Sequence, residues 1–374
     1  MSRIFVTGST GYLGGYVCTR LLEQQPDARL ALLVRGRDRD HAIDKLWRGW
    51  QLHMDAAAFK EALSRVELHL GDLHAKNLGL SDAAWSDLAG DTDSVLHIAA
   101  SLNRKSERAC LNTNLRGALS VIRLGRAMAD GGGLRRFSFV STAAVAGERW
   151  REVVPEDQSI RWDHRQYDPY ARTKAFGEHM LRELLPDVST IVFRPSTVLG
   201  DARFPDTTQW DMVRAYVFFA ELPVLPWGPD IRQDIVNADY VGDAITHVHL
   251  ADAPRWDTYH LSAGTGSRST REIVHALASA TGKPGPRFSR RLKGPFDGTV
   301  RALEMLGPGA TTQRMAALLR VFLPYVTNDT VFDNGRIVAE LGRAPTPFVD
   351  YAPSLLHYAK ENDFRYPYRE LPAD

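Results

Sequence analysis

Two cysteines in 374 residues, Cys18 and Cys110, stand singly in apolar stretches without C-x-x-C spacing. That scarcity proposes neither a disulfide framework nor a zinc site and fits a reducing compartment. Charge of one sign is equally short: 46 basic against 45 acidic residues leave a net charge of +1, so nothing in the balance asks for nucleic acid. No window reaches 18 uninterrupted apolar residues, and the start "MSRIFVTGST" lacks the basic n-region and apolar h-region of a signal peptide. A cytoplasmic, non-spanning protein is the expectation. There is no internal repeat, and no low-complexity tract beyond "GGG" at 131–133.

What is present is ordinary globular material, 44% hydrophobic and 24% charged, in a chain long enough for one large core and a smaller lobe. Short β-branched runs alternate with longer helical patterns: "IFVTG" at 4–8, "LALLVR" at 30–35, "VELHLGDL" at 66–73, "SVLHIAAS" at 94–101, "RFSFVST" at 136–142 and "TIVFRPS" at 190–196. Strands buried on both faces read this way, and helical periodicity at 12–25 and 112–129 between them makes them parallel. The predicted architecture is an α/β, doubly wound parallel Rossmann sheet with a smaller, interleaved C-terminal lobe. Residues 1–200 would form the nucleotide-binding domain, with a strand returning near 230–250, and 201–374 mainly a substrate-binding lobe.

"VTGSTGYLGG" spaces Gly8, Gly11 and Gly14 three residues apart, directly after a strand and at the opening of a helix. Glycines there let backbone N–H groups approach a pyrophosphate, whose charge the helix N-terminus stabilises. Twenty-one positions past Gly14, where an acidic residue would hold the ribose hydroxyls of NAD, the second strand ends in Arg35, with Arg37 nearby. A guanidinium grips a 2′-phosphate that a carboxylate would repel, so NADPH is the expected cofactor.

"YDPYARTK" offers two tyrosines to one lysine. Asp168 is a predicted N-cap and Pro169 a predicted first helical residue, which puts Tyr170 in the first turn and leaves Tyr167 off the helix. Lys174 follows Tyr170 by four residues and shares its face, so the ammonium is expected to pull the phenol pKa downward. Glu178, one turn further, is expected to pair with Lys174.

Together, the glycine cradle, the strand ending in Ser/Thr and the Tyr-x-x-x-Lys spacing resemble the extended short-chain dehydrogenase/reductase superfamily. The match spans roughly residues 3–250, with the motifs in order. By that resemblance, Thr142 in "STAAVAG" supplies the substrate-binding hydroxyl beside Tyr170 and Lys174, with Ser141 as its neighbour, and Asn114 belongs to the proton relay or its support. It likewise implies cofactor contacts from Gly8, Thr10, Gly11, Tyr12, Leu13 and Gly14. The same holds for Asp72 and Leu73 of "GDL", for Ala99, Ala100 and Ser101 of "HIAAS", and for Pro195, Ser196 and Val198 of "RPSTVLG".

Dehydratases of the superfamily carry Asp-Glu after the threonine, where this chain has Ala143 and Ala144. Tightly NAD-bound epimerases carry an acid where Arg35 stands. The long insertion before "GDL" is similar to the thioester reductase branch, which includes fatty acyl-CoA reductases and the terminal reductase domains of carboxylic acid reductases and peptide synthetases. That similarity implies NADPH-dependent reduction of an acyl thioester, on CoA or an acyl carrier protein, to an aldehyde and on to an alcohol if a second hydride follows. A ketone reductase or secondary alcohol dehydrogenase is the alternative; a cofactor-sensing protein without catalysis is a third reading. Arg290, Arg291 and Lys293 are read as a solvated charge run, with contact to an acidic carrier as the alternative, and "MAALLRVFLP" at 315–324 is read as a core helix, with a homodimer face or peripheral membrane contact as alternatives. Trp150, Trp162, Phe204 and Trp227 are expected around an acyl channel, and Tyr167 at its entrance.

Overall fold

The computed structural model describes residues 2–157, 160–282, 284–305, 323 and 326–372. Of the segment 315–324, only Leu323 is among them, so Leu318, Leu319 and Phe322 lie outside the described residues.

Seven parallel strands make the central sheet: β1 (Arg3–Thr7), β2 (Arg29–Val34), β3 (Val66–Leu70), β4 (Ser94–His97), β5 (Arg136–Val140), β6 (Thr190–Pro195) and β7 (Thr258–Leu261). Their spatial order is β7-β6-β5-β4-β1-β2-β3. β1 pairs with β2 on one side (Arg3 opposite Arg29) and with β4 on the other (Ile4 opposite Ser94). Every residue of β1, β4, β5 and β7 is buried. That is why β1, β4 and β5 read as apolar runs without alternation. Helices Tyr12–Gln24 and Ala238–Leu250 pack against each other on one face. The helices Ala118–Asp130 and Pro169–Leu184 likewise share the other face.

The chain order reverses between β1 and β4, and the crevice at the carboxyl ends of such strands is where doubly wound folds bind ligands. Here those ends deliver Gly8, Arg35, Gly71, Ile98, Ser141 and Ser196.

Residues 230–250 depart from expectation. They hold two short strands, Arg232–Gln233 and Ile235–Val236, then a helix from Ala238, and none of them joins the central sheet. The strand that returns to that sheet is β7, eight residues past the helix, set against β6 with Thr258 opposite Val192. A second core forms around Met212, Tyr216, Phe219, Leu277, Tyr351 and Leu355, from the helices Asp211–Glu221, Thr270–Ala280 and Phe348–Glu361. A two-stranded parallel pairing of Glu152–Val154 with Thr330–Phe332 also ties the C-terminal part of the chain to the first half. Among the described residues, no helix is long and apolar enough to cross a membrane.

Candidate functional site

One cavity of about 970 Å³ opens along the carboxyl ends of the strands. The glycine turn forms its floor. Gly8 has φ +83°, and a Cβ on Gly14 would stand 2.0 Å from the Gly8 carbonyl oxygen, so neither position admits a side chain. The helix that follows starts at Gly11 without any side-chain cap, and Thr10, Gly11, Tyr12 and Leu13 line the cavity. Uncapped N–H groups and a bare backbone surface fit a pyrophosphate.

At the far end, Arg35 is exposed and lines the wall, whereas Arg37 does not. Two cations that the sequence pattern did not single out join it. Lys45 donates from Nζ to the Arg35 carbonyl (2.6 Å), and Arg48 pairs with Asp44 (3.3 Å). Both come from the helix Arg39–Trp50 of the insertion, and at a spacing of three they share one face. Asp72 and Leu73 form the next stretch of wall, then Ala99, Ala100 and Ser101, and opposite them Pro195, Ser196 and Val198.

Of the four predicted catalytic residues, Asn114 alone does not line the cavity. It is buried within a π-helical stretch, Leu111–Gly117, one layer behind the wall. Its Oδ1 accepts from the Ser101 N–H (2.7 Å), and its Nδ2 donates to the Ser101 carbonyl (3.1 Å) and to Thr173 Oγ1 (3.3 Å). Asn114 therefore fixes the Ser101 segment, and the wide turn is what aims its amide there.

Thr142, Tyr170 and Lys174 all line the cavity. Asp168 Oδ1 accepts from the Ala171 N–H (2.8 Å), and Pro169 opens the helix, so Tyr170 lies in the first turn as expected. The Thr142 hydroxyl interacts with the buried phenol. It also accepts from the Ala144 N–H (3.3 Å). Ser141 is turned away, donating to Glu178 Oε1 (2.5 Å).

Two electrostatic expectations need correction. Lys174 is 1% exposed and donates from Nζ to the Val140 carbonyl (2.7 Å); burial pushes its pKa down to about 7, against the opposing pull of Glu178. The cation at the Tyr170 ring is instead Arg104, 4.6 Å from its centroid, and burial raises the phenol pKa while Arg104 lowers it. The i,i+4 spacing placed Lys174 on the cavity side of the helix, but its long side chain runs to the Val140 carbonyl and over the Phe139 ring. Glu178, for its part, makes its ion pair with Arg194 (2.6 Å).

Aromatic loops also differ from expectation. Trp150 and Trp162 are 65% and 52% exposed, Trp227 is buried in the second core, and Phe204 stacks with Arg203; none lines the cavity. The end beyond Tyr170 is walled by Leu102, Met212 and Phe332, with Gln209, Asp211, Asn328 and Thr330. Tyr167 also lines the cavity and accepts from the Arg149 N–H (3.4 Å). Asp234 is a further wall residue with no spacing signal in the sequence. Its carboxylate accepts from Ser196 Oγ (2.8 Å), the Ala263 N–H (2.8 Å) and the Phe332 N–H (2.9 Å), and burial pushes its pKa up to about 6.

This fold and this cavity are those of an NAD(P)-binding Rossmann-type protein. The chain belongs to the male sterility protein family, whose model matches residues 6–245. It is 28% identical over 288 residues to the nonribosomal peptide synthetase asaC of Aspergillus flavus, covering 72% of this chain and 27% of that protein. It is 30% identical over 268 residues to the isonitrile lipopeptide synthase of Mycobacterium tuberculosis, covering 67% of this chain and 10% of that protein. The chain thus spans about a quarter or less of these curated relatives. Among solved structures it resembles the terminal R domain from the myxalamid PKS-NRPS biosynthetic pathway, with TM-score 0.79, 22% identity, and 97% of this chain and 92% of that one covered.

Proposed function

We propose that the protein is an NADPH-dependent reductase of acyl thioesters, releasing an aldehyde from CoA or from a carrier protein. The observation that carries this reading is one continuous cavity, in which a cation-lined end, a glycine turn and the Thr142/Tyr170/Lys174 group are followed by a wall of mixed polarity. Arg35, Lys45 and Arg48 would hold a 2′-phosphate, and the glycine turn the pyrophosphate. The relatives named as peptide and lipopeptide synthases support a carrier-bound acyl group. So does the fold shared with a thiolation-reductase di-domain from an archaeal synthetase, at TM-score 0.73.

A reduced nicotinamide bound in this cavity supplies a hydride. Thr142 donates a hydrogen bond to the substrate carbonyl oxygen and holds it against Tyr170. Tyr170 gives that oxygen a proton as the carbonyl carbon accepts the hydride. Lys174 restores the proton from the interior side, aided by a pKa already brought near neutrality. Collapse of the tetrahedral adduct releases a thiol and an aldehyde. Ala143 and Ala144 leave no acid/base pair for eliminating water.

The test is turnover of hexanoyl-CoA, lauroyl-CoA, a lauroyl-phosphopantetheinyl carrier protein, dodecanal and 2-octanone with NADPH and with NADH. Thioester reduction with NADPH preferred is the expected result. Turnover of 2-octanone alone would replace this reading with that of a ketone reductase.

A further inference from the structure

Arg104 has no part in the Thr/Tyr/Lys arrangement, yet it is held against it from two sides. Its Cζ lies 4.6 Å from the Tyr170 ring centroid, and its Nη1 donates to Asp168 Oδ2 (2.8 Å). The other oxygen of that carboxylate, Oδ1, caps the Tyr170 helix at the Ala171 N–H. One side chain therefore sets both the first turn that carries the phenol and the guanidinium that covers it. The turn bearing Arg104 is pinned as well. Asn114 holds Ser101 by both backbone groups, Arg104 N–H donates to the Leu102 carbonyl (2.8 Å), and Asn103 Oδ1 accepts from the Ser106 N–H (3.1 Å). With a side chain 17% exposed, the cation is screened from bulk solvent but open to the cavity.

We propose that Arg104 is a positioning residue for Tyr170, supplying over the phenol face the positive charge that steadies the phenolate formed when Tyr170 gives up its proton. The inference rests on the reading of Tyr170 as the proton donor. In that step the carbonyl carbon gains a hydride, the phenol O–H bond breaks, its proton goes to the carbonyl oxygen, and the electron pair stays on the phenolate. Negative charge then spreads into the ring, where the attraction of a guanidinium above it increases. The groups facing Tyr170 are few. Thr142 comes from the end of β5, Cys110 and Arg104 from the segment after β4, and Asp168 from the cap of its own helix. Arg104 is the cation that lies against the phenol, while Lys174 donates to the Val140 carbonyl.

The experiment reads Tyr170 directly and needs no substrate. Protein carrying 3-fluorotyrosine, whose phenol ionises at lower pH than tyrosine, is titrated by fluorine NMR, and the Tyr170 signal is assigned by its loss in Tyr170→Phe. Arg104→Gln should raise the midpoint by about one pH unit, the lower end of what a neighbouring charge does. Arg104→Lys should stay near the native value. Asp168→Asn still offers an oxygen to cap the helix and leaves Arg104 less neutralised, so it should move the midpoint down. The upward shift in Arg104→Gln is the diagnostic one, since Asp168 also raises the phenol pKa by its own charge. An unmoved midpoint in Arg104→Gln, or a downward one, overturns the proposal; if that variant does not fold, an unmoved Asp168→Asn midpoint overturns it instead. Full turnover by Tyr170→Phe would sink the proton-donor reading while leaving the electrostatic coupling standing. Loss of turnover in Tyr170→Phe with an unmoved midpoint in Arg104→Gln would sink this inference alone.

Discussion

Tyr167 and Tyr170 both face the cavity, so proximity alone does not separate them. What separates them is the helix start at Pro169, which puts Tyr170 beside Thr142 while Tyr167 accepts a backbone N–H of Arg149. Tyr170→Phe should lower turnover at least about 100-fold, the usual contribution of a positioned proton donor. Tyr167→Phe should stay within a few-fold of native, with the same thioester assay measuring both. At the other end of the cavity, Arg35→Ala should raise KM for NADPH about tenfold and leave KM for NADH nearly unchanged, because only NADPH carries the 2′-phosphate. Equal loss with both cofactors would mean that Arg35 shapes the wall without reading the phosphate. The residues that follow a spacing rule were legible: the glycines, Arg35, Thr142, Tyr170 and Lys174 come together as expected. Arg104, Lys45, Arg48 and Asp234 were not, since each reaches the cavity through tertiary packing that no local period encodes.

Elements behave differently from residues because backbone cannot step aside. A Cβ on Gly14 would meet the Gly8 carbonyl oxygen at 2.0 Å and the Gly8 carbonyl carbon at 2.8 Å, all main-chain atoms. Gly14→Ala should therefore abolish cofactor binding, read by NADPH fluorescence, and lower the melting temperature as β1 and its helix are forced apart. Elsewhere one buried acid ties three elements. Glu156, just past the strand Glu152–Val154, accepts from the His260 N–H of β7 (2.8 Å) and from the Arg336 N–H (2.7 Å) at the start of the helix Gly335–Leu341. Burial pushes its pKa up to about 7 from the ordinary 4.5. A raised folded-state pKa means that the native state binds the proton more tightly. The contribution is fully present below about pH 4.5 and is lost as pH rises through about 7, at most about 3 kcal/mol across that window. Glu156→Gln should flatten the fall in melting temperature between pH 5 and pH 8, and an unchanged slope would assign the pH dependence to Asp234. The sheet strands were readable as elements because both faces are buried. β7, "TYHL", was missed because four residues holding Thr and His make no apolar run, and the helix before it drew the expected strand upstream.

At the scale of the whole molecule, the helix Arg39–Trp50 joins parts of the chain far apart in sequence. Trp50 Nε1 donates to the Ser9 carbonyl of the glycine turn (2.9 Å), while Trp47 Nε1 donates to the Arg369 carbonyl (2.7 Å) and Gln51 Oε1 accepts from the Arg369 N–H (2.8 Å). The same helix carries Lys45 and Arg48 into the cavity. Its outer side thus rests on residues beyond 360, and its inner side bears on the site read as holding the adenosine phosphate. This closure was invisible in the sequence, since the partners are more than 300 positions apart and no motif marks either. Removing residues 366–374 deletes two of these three contacts' partners but leaves Trp50, with 0% exposure, and the helix core in place. The helix should still form, with more freedom at the face that carries the cations. KM for NADPH should rise about three- to tenfold, on the scale of one or two lost hydrogen bonds, while kcat at saturating NADPH changes less than twofold. NADH kinetics should move less than those of NADPH. A drop in kcat with an unchanged KM would instead show that the tail acts on the Tyr170 end of the cavity, against the path of contacts that runs from Arg369 through Trp47 to Lys45 and Arg48.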